Sequence, residues 1–240
     1  MKITVYKYEL IIFIIIMILT GSVGLTSKDA SISNGIYPKQ RYPYTVALTF
    51  DDGPYPGHTE NLLRILAHEN VRATFFLTGM NSQQYPELVR LISDKNHEIG
   101  GHTYTHTSVK KMSTKTLITE LDLTKKVIEQ NTNKRIYLFR PPGGHLSKKS
   151  LDIIQSRGYV TVMWSVLPKD TEPSVNKEDI IRIILRETSN SGIILLHSGR
   201  QRTIDALPEI IWGLRLKGYR FVTVSELIIT EGMYARGYVK

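Results

Sequence analysis

From Thr45 onward the chain alternates short runs of β-branched and aromatic residues with longer amphipathic stretches, and this alternation is what most limits its fold. Strands are predicted over 45–50, 72–77, 98–101, 135–139, 160–164, 192–196 and 219–224. Helices are predicted over 59–70, 85–95, 114–130, 148–157, 177–188 and 203–217, the third with apolar spacing at Leu117, Leu121 and Ile128. Strands that alternate with helices pair in parallel, because each crossover returns the chain to the same edge of the sheet. About seven such units predict an α/β fold with a parallel sheet, and the count suits a (β/α) barrel better than an open sheet. In such folds the loops at the carboxyl ends of the strands assemble the site.

The segment before this domain reads differently. Lys2 and Lys7 precede an uncharged apolar run over 10–19, followed by the small and polar residues 20–24. That run is short for a membrane span and suits the core of a signal peptide. No Ala-x-Ala site follows it, so cleavage and retention as an N-terminal anchor stand as equal alternatives. Residues 27–43 are polar, carry Gly35, Pro38 and Pro43, and read as a tether. The expected organisation is a signal peptide or anchor over 1–26, the tether over 27–43 and one domain over 44–240.

Charge narrows the surroundings. With 31 Lys and Arg against 22 Asp and Glu, the net charge is +9, which favours an anionic environment: nucleic acid, a membrane surface or a wall polymer. No basic helix, basic arm or nucleic-acid motif concentrates the lysines, so nucleic acid is excluded as a partner. Cysteine is absent, so a metal ion would have to be held by histidine and carboxylate.

Four groups at strand ends carry the chemistry. Asp51 and Asp52 stand where the first strand meets Gly53-Pro54, a sequence that taken alone is ordinary turn chemistry. His102 and His106 follow the strand over 98–101. If their loop enters a helical turn, both imidazoles lie on one face and reach one ion, with Asp52 as the natural third ligand. Three protein ligands leave a coordination position for water, which marks a catalytic site. Arg140 follows the strand over 135–139, and His197 follows the run over 192–196.

The chain resembles the polysaccharide deacetylase family, also called the NodB-homology domain or carbohydrate esterase family 4. Thr49 to Pro54 matches its first motif, His102 to His106 its second, Arg140 to Gly144 its third, Trp164 to Thr171 part of its fourth, and Leu195 to His197 its fifth. The resemblance spans about 44–224 and implies a deformed (β/α) barrel and metal-dependent removal of an acyl group, usually N-acetyl, from a sugar. It implies Asp52, His102 and His106 as metal ligands, Asp51 as general base and His197 as general acid. Arg140 would orient Asp51, and Asp170 would hold His197 and raise its pKa. Zinc is the expected ion, and the ligand set also accepts cobalt or another divalent metal. Pro142, Gly143, Tyr104 and Leu195 are the candidate substrate contacts. Two departures stand out. Gly143 replaces an aromatic that lines the sugar groove, though it keeps the main-chain N–H that helps hold the oxyanion. The fourth motif reads Leu167-Pro168-Lys169-Asp170-Thr171, without its first aspartate and without the tryptophan that helps line the acyl pocket.

The function expected on this reading is an exported or membrane-tethered monomer that removes N-acetyl groups from N-acetylglucosamine or N-acetylmuramic acid in peptidoglycan. Chitin oligosaccharides or an O-acetylated polysaccharide stand as alternative substrates. The rivals are a non-catalytic wall-binding module with a degenerate acyl pocket and a deacylase of a non-sugar amide. Among the other residues, His58, His68 and His97 read as surface histidines, His145, which follows the arginine loop, as either a surface histidine or a substrate contact, Trp164 and Trp212 as core, and Tyr104 as either groove or packing.

Overall fold

The computed structural model describes residues 44–231 and 238–239, so the N-terminal apolar run and the tether lie outside the described residues. Strand β1 (Tyr44–Asp51) is the hub. Every residue after Tyr44 is buried, as in a strand covered on both faces. Along one edge β1 pairs with β6 (Gly192–His197) from Val46 opposite Gly192 to Asp51 opposite His197. Along the other, its first residues pair with β7 (Tyr219–Phe221) and its last with β2 (Thr74–Leu77). The sheet continues through β3 (Glu98–Gly101), β4 (Leu138–Phe139) and β5 (Val160–Val162) to β8 (Tyr238–Val239), and all these pairings are parallel. Beyond β5 the chain reaches back to β6. The N–H groups of Ser165 and Val166 donate to Ile193 O, and that of Leu195 donates to Val166 O. The sheet is thereby curled into the deformed barrel.

Eight α-helices accompany the strands among the described residues: α1 (His58–His68), α2 (Gly79–Gln84), α3 (Pro86–Asp94), α4 (Thr114–Thr132), α5 (Lys148–Ser156), α6 (Lys177–Glu187), α7 (Gln201–Leu216) and α8 (Val224–Glu231). Their starts follow from local chemistry. Ser113 accepts from the N–H of Thr116, while Ser147 with Ser150 and Asn176 with Asp179 form reciprocal capping pairs. Each longer helix lays an apolar stripe on the sheet, such as Leu62, Leu63 and Leu66 on α1 or Ile204, Leu207, Ile211 and Leu214 on α7.

Two apolar clusters result. The larger fills the space between helices and sheet. The smaller, with Ala47, Phe76, Leu138, Val162 and Ile193, combines residues of five strands with Val224, Leu227 and Ile228 of α8. Helix α8 and the division of 79–94 into α2 and α3 are absent from the sequence reading, in which the last strand extends to Val224. The strand stops at Phe221, and α8 is secured by half-buried Glu98. Glu98 accepts from Thr74 Oγ1 at 2.7 Å and from the N–H of Ser225 at 3.2 Å, while the N–H of Val224 donates to Thr74 Oγ1 at 3.0 Å.

Two aromatic expectations are corrected. Trp212 is 65% exposed, because its neighbours Ile211 and Leu214 take the inward face of α7. His97 is buried: its Nδ1 accepts from the N–H of Ala73 at 3.1 Å, and its ring lies edge-on to Phe75. Burial and the charges of Arg72 and Lys95 push its pKa down to about 4. An unfolded histidine takes up its proton near pH ~6.5. Between these values the unfolded chain binds more protons, so the stability contributed by neutral His97 is complete above the unfolded pKa and is lost as pH falls towards the folded one. The amount at stake is on the order of 3 kcal/mol. The urea midpoint of His97→Asn should therefore depend less on pH across this window than that of the wild type. Parallel pH profiles for the two proteins would overturn this account of His97.

Candidate active site and metal centre

Every group singled out at a strand end lies at the carboxyl end of the barrel. Asp51 closes β1, His102 follows β3, Arg140 follows β4 and His197 closes β6. Arg140 is fully buried and holds the centre. Its Nη1 donates to Asp51 Oδ1 at 2.8 Å and to Thr49 Oγ1 at 2.6 Å, its Nη2 to Met163 O at 3.0 Å and its Nε to Val162 O at 3.3 Å. The guanidinium lies over the Phe76 ring, 4.2 Å from its centroid. Burial lowers the pKa of Arg140 and Asp51 opposes that shift, so the pair remains an ion pair within the barrel.

Asp52, His102 and His106 converge beside this pair, with one ligand atom from each lying within 4.8 Å of the others. His102 Nε2 is 3.4 Å and His106 Nε2 is 3.0 Å from Asp52 Oδ1. A carbonyl can only accept, so the 2.7 Å contact between His102 Nδ1 and Arg140 O places the hydrogen on Nδ1. His102 Nε2 then faces a carboxylate oxygen that is buried and makes no hydrogen bond. Imidazole nitrogens converging on such an oxygen, with a main-chain carbonyl holding the other ring nitrogen of His102, are the arrangement of a divalent-cation site. The residues present fit such an ion. Burial works against ionisation of Asp52, yet the two imidazoles and His197 hold its carboxyl well below the usual carboxylate range.

The loop bearing both histidines is not the helical turn considered from the sequence. Thr103 and His106 have left-handed backbone at φ 57° and 61°, and the rings sit 5.1 Å apart. Helix α4 imposes this shape through Glu120. Its Oε2 accepts from the N–H groups of Tyr104 and Thr105 at 2.7 and 2.8 Å, and its Oε1 accepts from Thr105 Oγ1 at 3.0 Å. The N–H groups of Gly79 and Met80 donate to the carbonyls of Thr103 and Tyr104, and Asn81 Nδ2 donates to Asp52 O at 2.9 Å. Glu120 and Asn81 were missed from sequence. Glu120 had a signal, since a carboxylate lies among Leu117, Leu121, Thr124 and Ile128 on the buried face of α4.

His197 stands opposite Asp51 on the neighbouring strand. Asp170, fully buried, receives His197 Nδ1 at 2.7 Å, the His197 main-chain N–H at 2.8 Å and Thr203 Oγ1 at 2.6 Å. Thr203 is a third residue the sequence reading missed, on the first turn of α7. Burial disfavours the imidazolium, but the bond to Asp170 and the charges of Asp51 and Asp52 outweigh it and raise the pKa of His197. Leu195 is buried two residues before His197 and opposite Thr49, on the face that carries Asp51 and His197. Pro142 is buried and Gly143 exposed. Tyr104 turns towards α2: its hydroxyl and Gln83 Oε1 are 2.5 Å apart, and its ring leaves no room for a Cβ on Gly79. Trp164 packs partly against the smaller apolar cluster and against Gly144.

Comparisons with known proteins bear on the family and the fold. The sequence profile for polysaccharide deacetylases matches residues 39–162. A peptidoglycan-N-acetylglucosamine deacetylase of Bacillus cereus is 38% identical over 189 residues, which is 76% of this chain and 87% of that protein. The peptidoglycan-N-acetylmuramic acid deacetylase PdaC of Bacillus subtilis is 35% identical over 184 residues, 76% of this chain and 38% of that protein. A family 4 acetyl xylan esterase of Clostridium thermocellum, solved in complex with a cobalt ion, superposes with a TM-score of 0.74 at 31% identity, covering 78% of this chain and 92% of that one.

The Glu120 contacts make a prediction for the metal centre. Glu120→Ala strips two main-chain N–H groups of their acceptor and frees the histidine loop, so cobalt or zinc affinity should fall about 10- to 100-fold. Glu120→Gln, which keeps an acceptor oxygen, should recover most of that loss. Competition titration against a chromogenic chelator reads both, and unchanged affinity in Glu120→Ala would contradict the positioning role.

Proposed function

The chain belongs to the polysaccharide deacetylase family, and from that membership we propose that it hydrolyses the acetamide of N-acetylglucosamine or N-acetylmuramic acid units of peptidoglycan outside the cell. The observation that carries the reading is the direct pairing of Asp51 with His197 across β1 and β6, beside a three-residue divalent-cation site. The apolar segment within 1–26 supports export, by cleavage or as an anchor, and the tether over 27–43 would span the gap to the wall. The net charge of +9 suits a wall rich in anionic polymers.

In this reading Asp52, His102 and His106 hold a divalent ion, with zinc or cobalt compatible with the donor set. When bound, such an ion supplies a water of near-neutral pKa and polarises the amide carbonyl. Asp51 is the base. Its Oδ1 is occupied by Arg140, while Oδ2 lies 3.8 Å from His102 Nε2, on the metal side, and takes the proton of the attacking water. Arg140 fixes the orientation of Asp51 through its bond to Oδ1. The main-chain N–H of Gly143 is the candidate donor to the tetrahedral oxyanion. His197 donates its proton from Nε2 to the departing nitrogen, because an amine leaves only once protonated. Asp170 holds the opposite ring nitrogen and keeps the imidazole charged; Thr203 holds Asp170.

The test is acetate release from peptidoglycan and from N-acetylglucosamine oligomers. Release should stop with chelator, return with zinc or cobalt, and fall about 10²- to 10⁴-fold in Asp51→Ala and His197→Ala. No acetate from the metal-loaded wild type on any of these polymers would sink the reading. The pH profile gives a second check. His197 must be protonated to act, so activity is lost as pH rises through its raised pKa. Asp170→Asn removes the charge that sustains that pKa and should shift the alkaline limb to lower pH. An alkaline limb that stays in place would remove His197 from the role of acid.

A further inference from the structure

Next to the metal centre lies a pocket of about 230 Å³ lined by Asp52, Tyr55, His58, Gly199 and Arg200. It forms where the loop after β1 meets the turn after β6. The Tyr55 ring lies over Gly199 so closely that a Cβ on that glycine would come within 2.8 Å of it. Two lining side chains have no partner. Among the described residues, neither the Arg200 guanidinium nor the His58 imidazole makes a hydrogen bond or ion pair. Arg202, two residues on, is by contrast spent on the carbonyls of Glu172, Pro173 and Val175. The one acidic lining residue, Asp52, turns its Oδ1 towards His102 and His106. An uncommitted guanidinium and an imidazole thus share a concavity with a candidate metal ligand.

We propose that this pocket seats a carboxylate carried by the sugar whose acetamide reaches the metal centre, with Arg200 as its main partner and His58 as a second donor. The inference rests on the reading that the metal centre receives a sugar acetamide. The planar fork of a guanidinium matches a carboxylate with two parallel N–H donors. A muramic unit carries its acetamide and, on the adjacent ring carbon, a lactyl ether ending in a carboxyl group, whereas a glucosamine unit carries no acid. Since the pocket shares Asp52 with the candidate metal ligands, it adjoins the site that would receive the acetamide. The carboxylates of a stem peptide are a second source of the same chemistry, and His58 becomes a recognition residue in place of a surface histidine.

The experiment measures affinity of the full chain, in an Asp51→Asn background that binds without turnover, for four matched oligosaccharides. One carries free lactyl carboxylates, one carries the same groups as primary amides, one carries stem peptides, and one contains N-acetylglucosamine alone. The free-lactyl oligomer should bind at least about tenfold more tightly than its amide twin, and the advantage should shrink with added salt. Arg200→Gln should bring that ratio close to one, and Arg200→Glu should invert it. An advantage confined to the peptide-bearing oligomer would assign the pocket to the stem carboxylate. A wild-type ratio near one on every acidic oligomer, or a ratio that survives Arg200→Gln, would overturn the proposal. Acetate release by the wild type is measured alongside; its failure would count against the deacetylase reading, while the affinity ratio alone judges the pocket.

Discussion

The structure depends on a buried cation. Arg140 is fully enclosed at the carboxyl end of the barrel, and one side chain there meets β1 through Thr49 and Asp51, β2 through Phe76, and the end of β5 through Val162 and Met163. Removing a guanidinium from water is costly unless its donors are matched, and here a carboxylate, a hydroxyl and two carbonyls match them. The same residue reaches the metal centre through its backbone, since Arg140 O sets the tautomer of His102. One residue therefore orients the Asp51 carboxylate and the His102 ring together. Loss of either partner would leave an uncompensated charge in the interior, so barrel integrity and site geometry are one constraint.

Much of this was legible in the sequence because strand ends announce themselves. The apolar runs stop where Asp51, His102, Arg140 and His197 begin, and parallel topology carries all four to one end of the sheet. What sequence order concealed was the bracing from distant segments. Glu120 supports a loop that ends 14 residues before it, and Thr203 grips Asp170 from another helix. The left-handed turns at Thr103 and His106 are equally hidden, because a four-residue spacing reads as a helical turn unless contacts from outside dictate otherwise. His97 and Trp212 were misassigned for one reason: composition ranks a residue type by average burial, whereas position on the element decides each case.

The departures from the family pattern gain a physical sense in place. Gly143 adopts φ 68°, a left-handed conformation in which an aromatic residue would be strained, so the missing wall and the local backbone belong together. A Cβ at that position would lie 3.5 Å from the exposed ring of His145. On the opposite side, Leu167 is exposed and Thr171 half-buried where the family pattern has aspartate and tryptophan. Glycine and threonine thus stand where the pattern has aromatic side chains. Recognition must then rely less on stacking against a sugar face and more on hydrogen bonds and charge at its margins.

The pairing of Asp51 with His197 gives the site a built-in ruler. Adjacent strands lie about 4.8 Å apart, a distance set by main-chain hydrogen bonds and indifferent to the side chains above them. The two side chains therefore keep their separation however the surrounding loops change, while a slip of one residue along β6 would turn His197 to the opposite face of the sheet and leave Asp51 facing its neighbour in sequence. Loops can diversify around such a pair without disturbing the span between carboxylate and imidazole. Variation in what is bound is thus separated, by the geometry of the ladder itself, from variation in what is done to it.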